Sequence, residues 1–166
     1  LNGTLGNYTE MENLLPQFYP STWKDEYNLV GFHFSHEVCL GFVERLNGGY
    51  SFVSKDDLAQ SNEDVNDLLS VALYNLSSLK EGVEIHVAKP SGATVVWITS
   101  EDNFASVRML IPQILSKLKS ELGEHFLFSM PSRDLCLFWN SDAPSNLTMK
   151  HAQEASEDFE SEEYNL

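Results

Sequence analysis

The segment Pro131-Ser132-Arg133-Asp134 combines residue types that could hold an anion. Its proline fixes a backbone angle, and the guanidinium of Arg133 is a planar fork of N–H donors that matches a carboxylate or a phosphate. Asp134 would orient such a ligand, and Ser132 would add a hydrogen bond. In the alternative, structural interpretation, Asp134 caps a turn through its own backbone and Arg133 pairs with a neighbouring acid. Both interpretations stay open at the level of sequence.

Asn75 and Arg108 are polar residues on two predicted helices. Asn75 interrupts an apolar run, where it could add a hydrogen bond to a bound ligand or bond to a neighbouring loop. Arg108 could act on a ligand, but in an acidic chain an arginine is more often a salt-bridge partner than a catalyst. The candidate polar or anion-binding residues are therefore Asn75, Arg108, Ser132, Arg133 and Asp134.

Recognised catalytic motifs are absent from the sequence, which has no GxSxG, no P-loop and no GxGxxG. We assign no catalytic residue and no cofactor, and we leave open whether the chain is an enzyme. The run HFSHEVC contains His33, His36, Glu37 and Cys39, which are metal-ligand types. However, His33 and His36 point to opposite faces of a strand, and the HExxH spacing is missing. We therefore predict no metal site.

The two cysteines, Cys39 and Cys136, each stand in an apolar run and form no CxxC motif. Such surroundings favour buried thiols in a reducing compartment over a disulfide, and we therefore predict a cytoplasmic location.

The charge of the chain excludes several classes of partner. The 166 residues include 25 Asp and Glu against 10 Lys and Arg, for a net charge of −15. A protein that grips DNA or RNA needs a basic surface, and an anionic membrane would repel this chain, so we predict neither partner. Six acids and no base lie within residues 154–163. Such a segment is typical of a solvated tail or of a binding segment for a basic partner. A protein partner fits this charge, whereas nothing in the sequence supports a homo-oligomer.

The predicted elements follow the order β-β-β-α-β-β-α-β-β. This order predicts an α+β fold, with a mostly antiparallel sheet built from hairpins and two main helices packed on one face. We expect an N-terminal extension over 1–28 (a short helix around Met11–Leu15, then a loop), a single domain over 29–142 and an acidic segment over 143–166. The predicted strands are Leu29–Phe34, Val38–Val43, Tyr50–Val53, Val83–Ala88, Thr94–Thr99, Phe126–Ser129 and Leu135–Trp139. The predicted helices are Asn62–Leu79, capped by Ser61, and Asn103–Leu122, broken or kinked at Pro112.

Three segments of the sequence carry a likeness to a known family. They are Tyr50–Val53 with Ala72–Leu79, then Asp102–Ser106, and finally Met130–Asp134. In this order and spacing, over roughly residues 50–140, they resemble the YtpQ-like family of uncharacterised bacterial proteins. Some relatives place an arginine directly after the Ala-Ser pair, where this chain has Val107 and then Arg108. The resemblance implies a bacterial, cytosolic protein and implies no activity.

Two functions from different classes follow. The first is a non-enzymatic interaction or regulatory module that takes a partner on an uncovered sheet face or an edge strand. The alternative is an enzyme that binds a phosphorylated or carboxylated small molecule through the Pro131–Asp134 loop. A third hypothesis is an acidic inhibitor of a basic toxin or nuclease.

Overall fold

The computed structural model describes residues 8–145, except 48, 62, 80, 81 and 91, together with residue 150. The chain divides into two compact units, 1–79 and 80–166. Each unit contains a four-stranded antiparallel sheet, so the predicted α+β class is confirmed. The number of sheets was predicted wrongly, because the strands form two sheets and not one. Strand patterns are local, and they do not reveal which strands pair across the chain.

The first unit is built around a long central strand. Its elements are a 3-10 turn (Tyr8–Asn13), β1 (Leu14–Pro20), α1 (Trp23–Glu26), β2 (Gly31–His33), β3 (Val38–Leu46), β4 (Gly49–Phe52), α2 (Lys55–Ser61) and α3 (Val65–Ser78). β1 pairs with one edge of β3, whereas β2 and β4 pair with its other edge. The core between the sheet, the 3-10 turn and α3 contains Met11, Leu14, Val30, Phe42, Val53, Leu68 and Ala72.

The short helix that we predicted around Met11–Leu15 is a 3-10 turn that ends at Asn13, and the strand β1 replaces the loop that we predicted after it. Pro16 and Pro20 suggested a loop because proline cannot donate to a sheet ladder. However, β1 has a ladder on one side only, and alternate residues of an edge strand direct their N–H groups away from it. Phe18 lies between the two prolines at an alternate position of β1, so its N–H has the same direction as theirs would have. That N–H donates to Oε1 of Gln17 (3.0 Å) and not to the ladder. The prolines therefore occupy outward positions and remove no ladder hydrogen bond.

The helix α3 confirms the predicted apolar stripe, but it begins later than expected. Asp64 and not Ser61 caps it, because Oδ1 of Asp64 accepts from the N–H of Asn66 at 2.8 Å. Ser61 instead ends the separate helix α2. The hairpin predicted from Val38–Val43 and Tyr50–Val53 is confirmed by the pairing of β3 with β4.

The second unit is a sheet with a helix packed against its central strands. Its elements are β5 (Glu84–Ala88), β6 (Val95–Thr99), a 3-10 segment (Ser106–Leu110), α4 (Pro112–Leu122), β7 (Phe126–Ser129) and β8 (Leu135–Asn140). The strand order is β5-β6-β8-β7, and every pair is antiparallel. Alternate side chains of β6 and β8 form its buried face: Val96, Ile98, Cys136 and Phe138.

The predicted helix Asn103–Leu122 is interrupted before Pro112, as expected. Pro112 becomes the first residue of α4, where its missing N–H costs nothing. The residues before it form the 3-10 segment in place of an α-helix. No helix of the described residues combines the length and the apolar content that a membrane crossing requires. Residues 1–7 of the predicted extension, and 146–149 and 151–166 of the acidic segment, lie outside the described residues, and the domain bounds 29–142 stay a prediction.

Candidate functional site

Arg108 is buried in the second unit and forms a two-pronged ion pair with Asp102. Nη1 and Nη2 donate to Oδ1 and Oδ2 at 2.8 and 2.7 Å, and the Arg108 side chain is only 1% exposed. Asn103, with φ of +65°, turns the chain between the two partners, a conformation that asparagine tolerates. From the sequence, Arg108 could act on a ligand or be a salt-bridge partner, and this geometry matches the salt-bridge partner.

The carboxyl of Asp102 is held ionised by its neighbours. Burial raises its pKa, but hydrogen bonds from Arg108 and Ser100, the charge of Arg108 and the N–H of Phe104 together lower the pKa below its ordinary value. We did not identify Asp102 from the sequence. The available signal was an acid placed six residues before a buried arginine.

The Pro131–Asp134 loop connects β7 to β8 and is tied to the rest of the second unit by its backbone. The N–H of Ser100 donates to the carbonyl of Asp134 (3.1 Å), and the N–H of Ser106 donates to the carbonyl of Arg133 (3.3 Å). Within the loop, Oγ of Ser132 accepts from the N–H of Asp134 at 3.3 Å. Ser132 thus has the turn-capping contact that we expected of Asp134. These bonds bring the loop next to the 3-10 segment that carries Arg108.

A cleft of about 510 Å³ lies beside this loop. Carboxylates and hydroxyls provide its polar lining: Glu84, Glu101, Asp134, Thr99, Ser100 and Ser132. Among the described residues that line the cleft there is no lysine, and neither Arg108 nor Arg133 is one of them. Because three carboxylates repel an anion, the charge of this cleft favours a cation or a neutral polar group.

Asn75 belongs to the first unit, whereas the other four candidates belong to the second. Its amide Nδ2 donates to the carbonyls of Met11 (2.7 Å) and Leu14 (2.9 Å). The side chain therefore fastens the 3-10 turn and the start of β1 to α3. This contact agrees with the expectation that Asn75 bonds to a neighbouring segment.

A second groove, of about 410 Å³, lies beside Asn75 between the 3-10 turn and α3. We call it the Tyr74 groove, and it is lined by Met11, Glu12, Ser70, Val71, Tyr74 and Asn75. Tyr74 is 73% exposed, more than any other large hydrophobic side chain of the described residues. The described lining residues of the groove include one carboxylate and no lysine or arginine. We did not identify it from the sequence, where the signal was an aromatic residue on the polar face of a helix.

The residues of the HFSHEVC run lie on and around the turn between β2 and β3. Cys39 is directly opposite His33 on one side and Tyr19 on the other, and Sγ of Cys39 lies 3.5 Å from Nδ1 of His33. His36 and Glu37 are exposed in the turn. Burial, and then the neighbouring Cys39, raise the pKa of Tyr19. Among the residues that the structure describes, no group of three or more His, Cys, Asp or Glu side chains is arranged to hold a metal ion.

β1 and β7, each at an edge of its sheet, differ in how open their free edges are to further pairing. β1 has prolines and a side-chain bond along its free edge, devices that discourage further pairing. β7 has the sequence FLFS, without proline or charge, and exposes Leu127 (44%) and Phe128 (39%) on alternate faces. An extended segment of another chain could add to β7 by main-chain hydrogen bonds.

The fold and the two clefts define an acidic α+β protein with two antiparallel sheets and carboxylate-lined surfaces. The chain is similar to an uncharacterised bacterial protein, a UPF0354 protein of Halalkalibacterium halodurans, with 22% identity over 120 residues. That stretch is 72% of this chain but 44% of the relative, so the chain spans less than half of the relative's length. No protein-family model and no solved structure matches the chain.

Proposed function

We propose that this chain is a non-catalytic interaction module whose partner is a protein that presents basic side chains. The observation that carries the proposal is the lining of the two clefts, whose described residues include carboxylates but no lysine or arginine. Such a surface repels phosphates and carboxylates, and it attracts ammonium and guanidinium groups.

The distribution of charge along the chain supports the same partner. Residues 1–79 contain eleven acids and three bases, a net charge of −8, whereas residues 80–150 contain eight acids and seven bases. Within residues 1–150 the excess negative charge therefore lies mainly on the first unit, and residues 151–166 of the second unit add six more acids. A field of one sign speeds the encounter with an oppositely charged partner, and this effect weakens as salt is added.

The alternative enzyme would hold a small anion through Arg133 and the rest of the Pro131–Asp134 loop. The three carboxylates of the adjacent cleft weigh against it. A melting-temperature screen with phosphate and citrate tests it directly. A rise in melting temperature that Arg133→Ala abolishes would favour the enzyme over the interaction module.

The YtpQ-like family and a cytoplasmic location belong to the same proposal. The similarity to a bacterial UPF0354 protein supports a bacterial family without assigned activity. Cys39 and Cys136 are buried free thiols, which supports a reducing compartment.

Fluorescence anisotropy with labelled peptides tests the interaction module. One peptide repeats Arg-Leu and the other repeats Glu-Leu at the same length, each at about 50 mM and about 300 mM salt, where screening lengths differ more than twofold. We expect binding of the Arg-Leu peptide only, weakened by the added salt. Absence of binding at both salt concentrations, or equal binding of the two peptides, contradicts the proposal.

A further inference from the structure

We infer that the Tyr74 groove receives an arginine side chain of the partner, an assignment that rests on the interaction module proposed above. The groove lies between the 3-10 turn Tyr8–Asn13 and α3, within a single unit of the chain. In this groove an exposed aromatic ring, apolar side chains and a carboxylate line one concave surface.

Each part of an arginine side chain has a counterpart in this groove. Val71 is half-buried and offers apolar surface to the aliphatic stem, since long basic side chains bury their stems and keep the charged head in water. Tyr74 offers a largely exposed ring to the guanidinium, which is attracted to the face of an aromatic ring. Glu12 is exposed and offers a carboxylate, the natural partner of the guanidinium fork.

The walls of the groove are held in place before any partner arrives. Asn75 bonds the carbonyl of Met11 from α3, so the 3-10 turn is tied directly to the helix that carries Tyr74. Met11 itself is only 3% exposed and belongs to the core of the unit. A site whose walls are already ordered loses less conformational entropy when it binds.

The charge of the surroundings selects a cation for this groove. The groove lies in the unit with eleven acids and three bases, so the long-range field and the carboxylate of the groove both attract a cation. The cleft of the second unit also has carboxylates, but no aromatic side chain is among the described residues that line it. Arginine is favoured over lysine because its planar head can stack on a ring and form two parallel hydrogen bonds.

Binding of the Arg-Leu peptide by four variants tests the assignment. We expect about fivefold weaker binding for Tyr74→Ala, the usual size of an exposed cation–π contact, and a similar loss for Glu12→Gln. Tyr74→Phe keeps the ring and should retain binding within about twofold of the wild type. Asp56→Asn removes the same charge from α2, outside the groove, and should also stay within about twofold.

The outcomes distinguish the assignment of the Tyr74 groove from the proposed interaction module on which it rests. If the wild type binds the Arg-Leu peptide and neither Tyr74→Ala nor Glu12→Gln changes the affinity, the assignment of the groove is wrong. The proposal of an interaction module is then unaffected. Absence of binding by the wild type overturns both. A peptide with citrulline in place of arginine has the same shape without the charge, and equal affinity for it overturns the electrostatic argument. A Lys-Leu peptide that binds as tightly as the Arg-Leu peptide overturns the choice of arginine.

Discussion

Removal of the Asp102 carboxylate should destabilise the second unit strongly. In Asp102→Ala the guanidinium of Arg108, 1% exposed, loses its charged partner inside the fold. Breaking a buried ion pair from one side costs about 3–5 kcal/mol. The side chain of Asp102 is 18% exposed, so water can reach the pair, and we expect the lower end, about 3 kcal/mol. With a urea slope of about 2 kcal/mol per M, the unfolding midpoint falls by about 1.5 M.

Urea unfolding followed by tryptophan fluorescence measures this loss, because Trp97 and Trp139 both lie in the second unit. Asp102→Ala combined with Arg108→Met removes both charges and should recover about half of the lost stability. The matched control is Glu124→Gln, which breaks the exposed pair with Lys119 in the same unit and should leave the midpoint unchanged.

The effect of pH on this pair has a defined sign. The folded-state pKa of Asp102 is lowered, so the contribution of the pair is fully present above the unfolded pKa of about 3.9. It is lost as the pH falls through the folded pKa, and the stability gap between wild type and Asp102→Ala should then narrow. A loss below about 1 kcal/mol at pH 7, or a double variant no more stable than Asp102→Ala, would refute the account of the buried pair.

Three further outcomes can be measured with the same material. Asn75→Ala leaves two backbone carbonyls without their amide donor and should lower the free energy of unfolding by about 1–3 kcal/mol in urea titrations, and a neutral result would contradict that role. Gly41→Ala places a Cβ against the ring of Tyr19 and should cost about 3 kcal/mol or more, whereas Gly49→Ala, with nothing within 4 Å, should be neutral. Cys136 is fully buried and burial raises the pKa of its thiol, so it should react with Ellman's reagent only after denaturant is added.

The strands of the second unit were predictable because their information is local. Runs such as TVVWIT and LCLFWN favour strands by residue type, and Pro90 with Gly92 favours the turn that joins β5 to β6. The pairing partner of each strand was harder to predict from the sequence. β6 pairs with β8 across the 3-10 segment and α4, and no pattern within either strand specifies that pairing.

The strand β1 shows how a local signal can mislead. Pro16 and Pro20 are poor strand residues in general, but they are harmless at outward positions of an edge strand. Whether a strand lies at an edge is decided by the whole sheet and not by the strand's own residues. The same limit applied to Asn75, whose bonding partners lie more than sixty residues earlier in the chain.

The acidity of the first unit is not something that this kind of fold requires. Like charges on one compact unit repel one another and lower its stability. The part of the second unit that contains its sheet and helix, residues 80–150, has eight acids and seven bases, whereas residues 1–79 have eleven acids against three bases. Asp64 caps α3, but the packing of the first unit comes from its apolar core, and its other surface carboxylates mainly add negative charge. A field of one sign beside an exposed aromatic ring is better suited to recognising a cation than to holding the unit together, and this is the physical basis for assigning the Tyr74 groove to a basic partner.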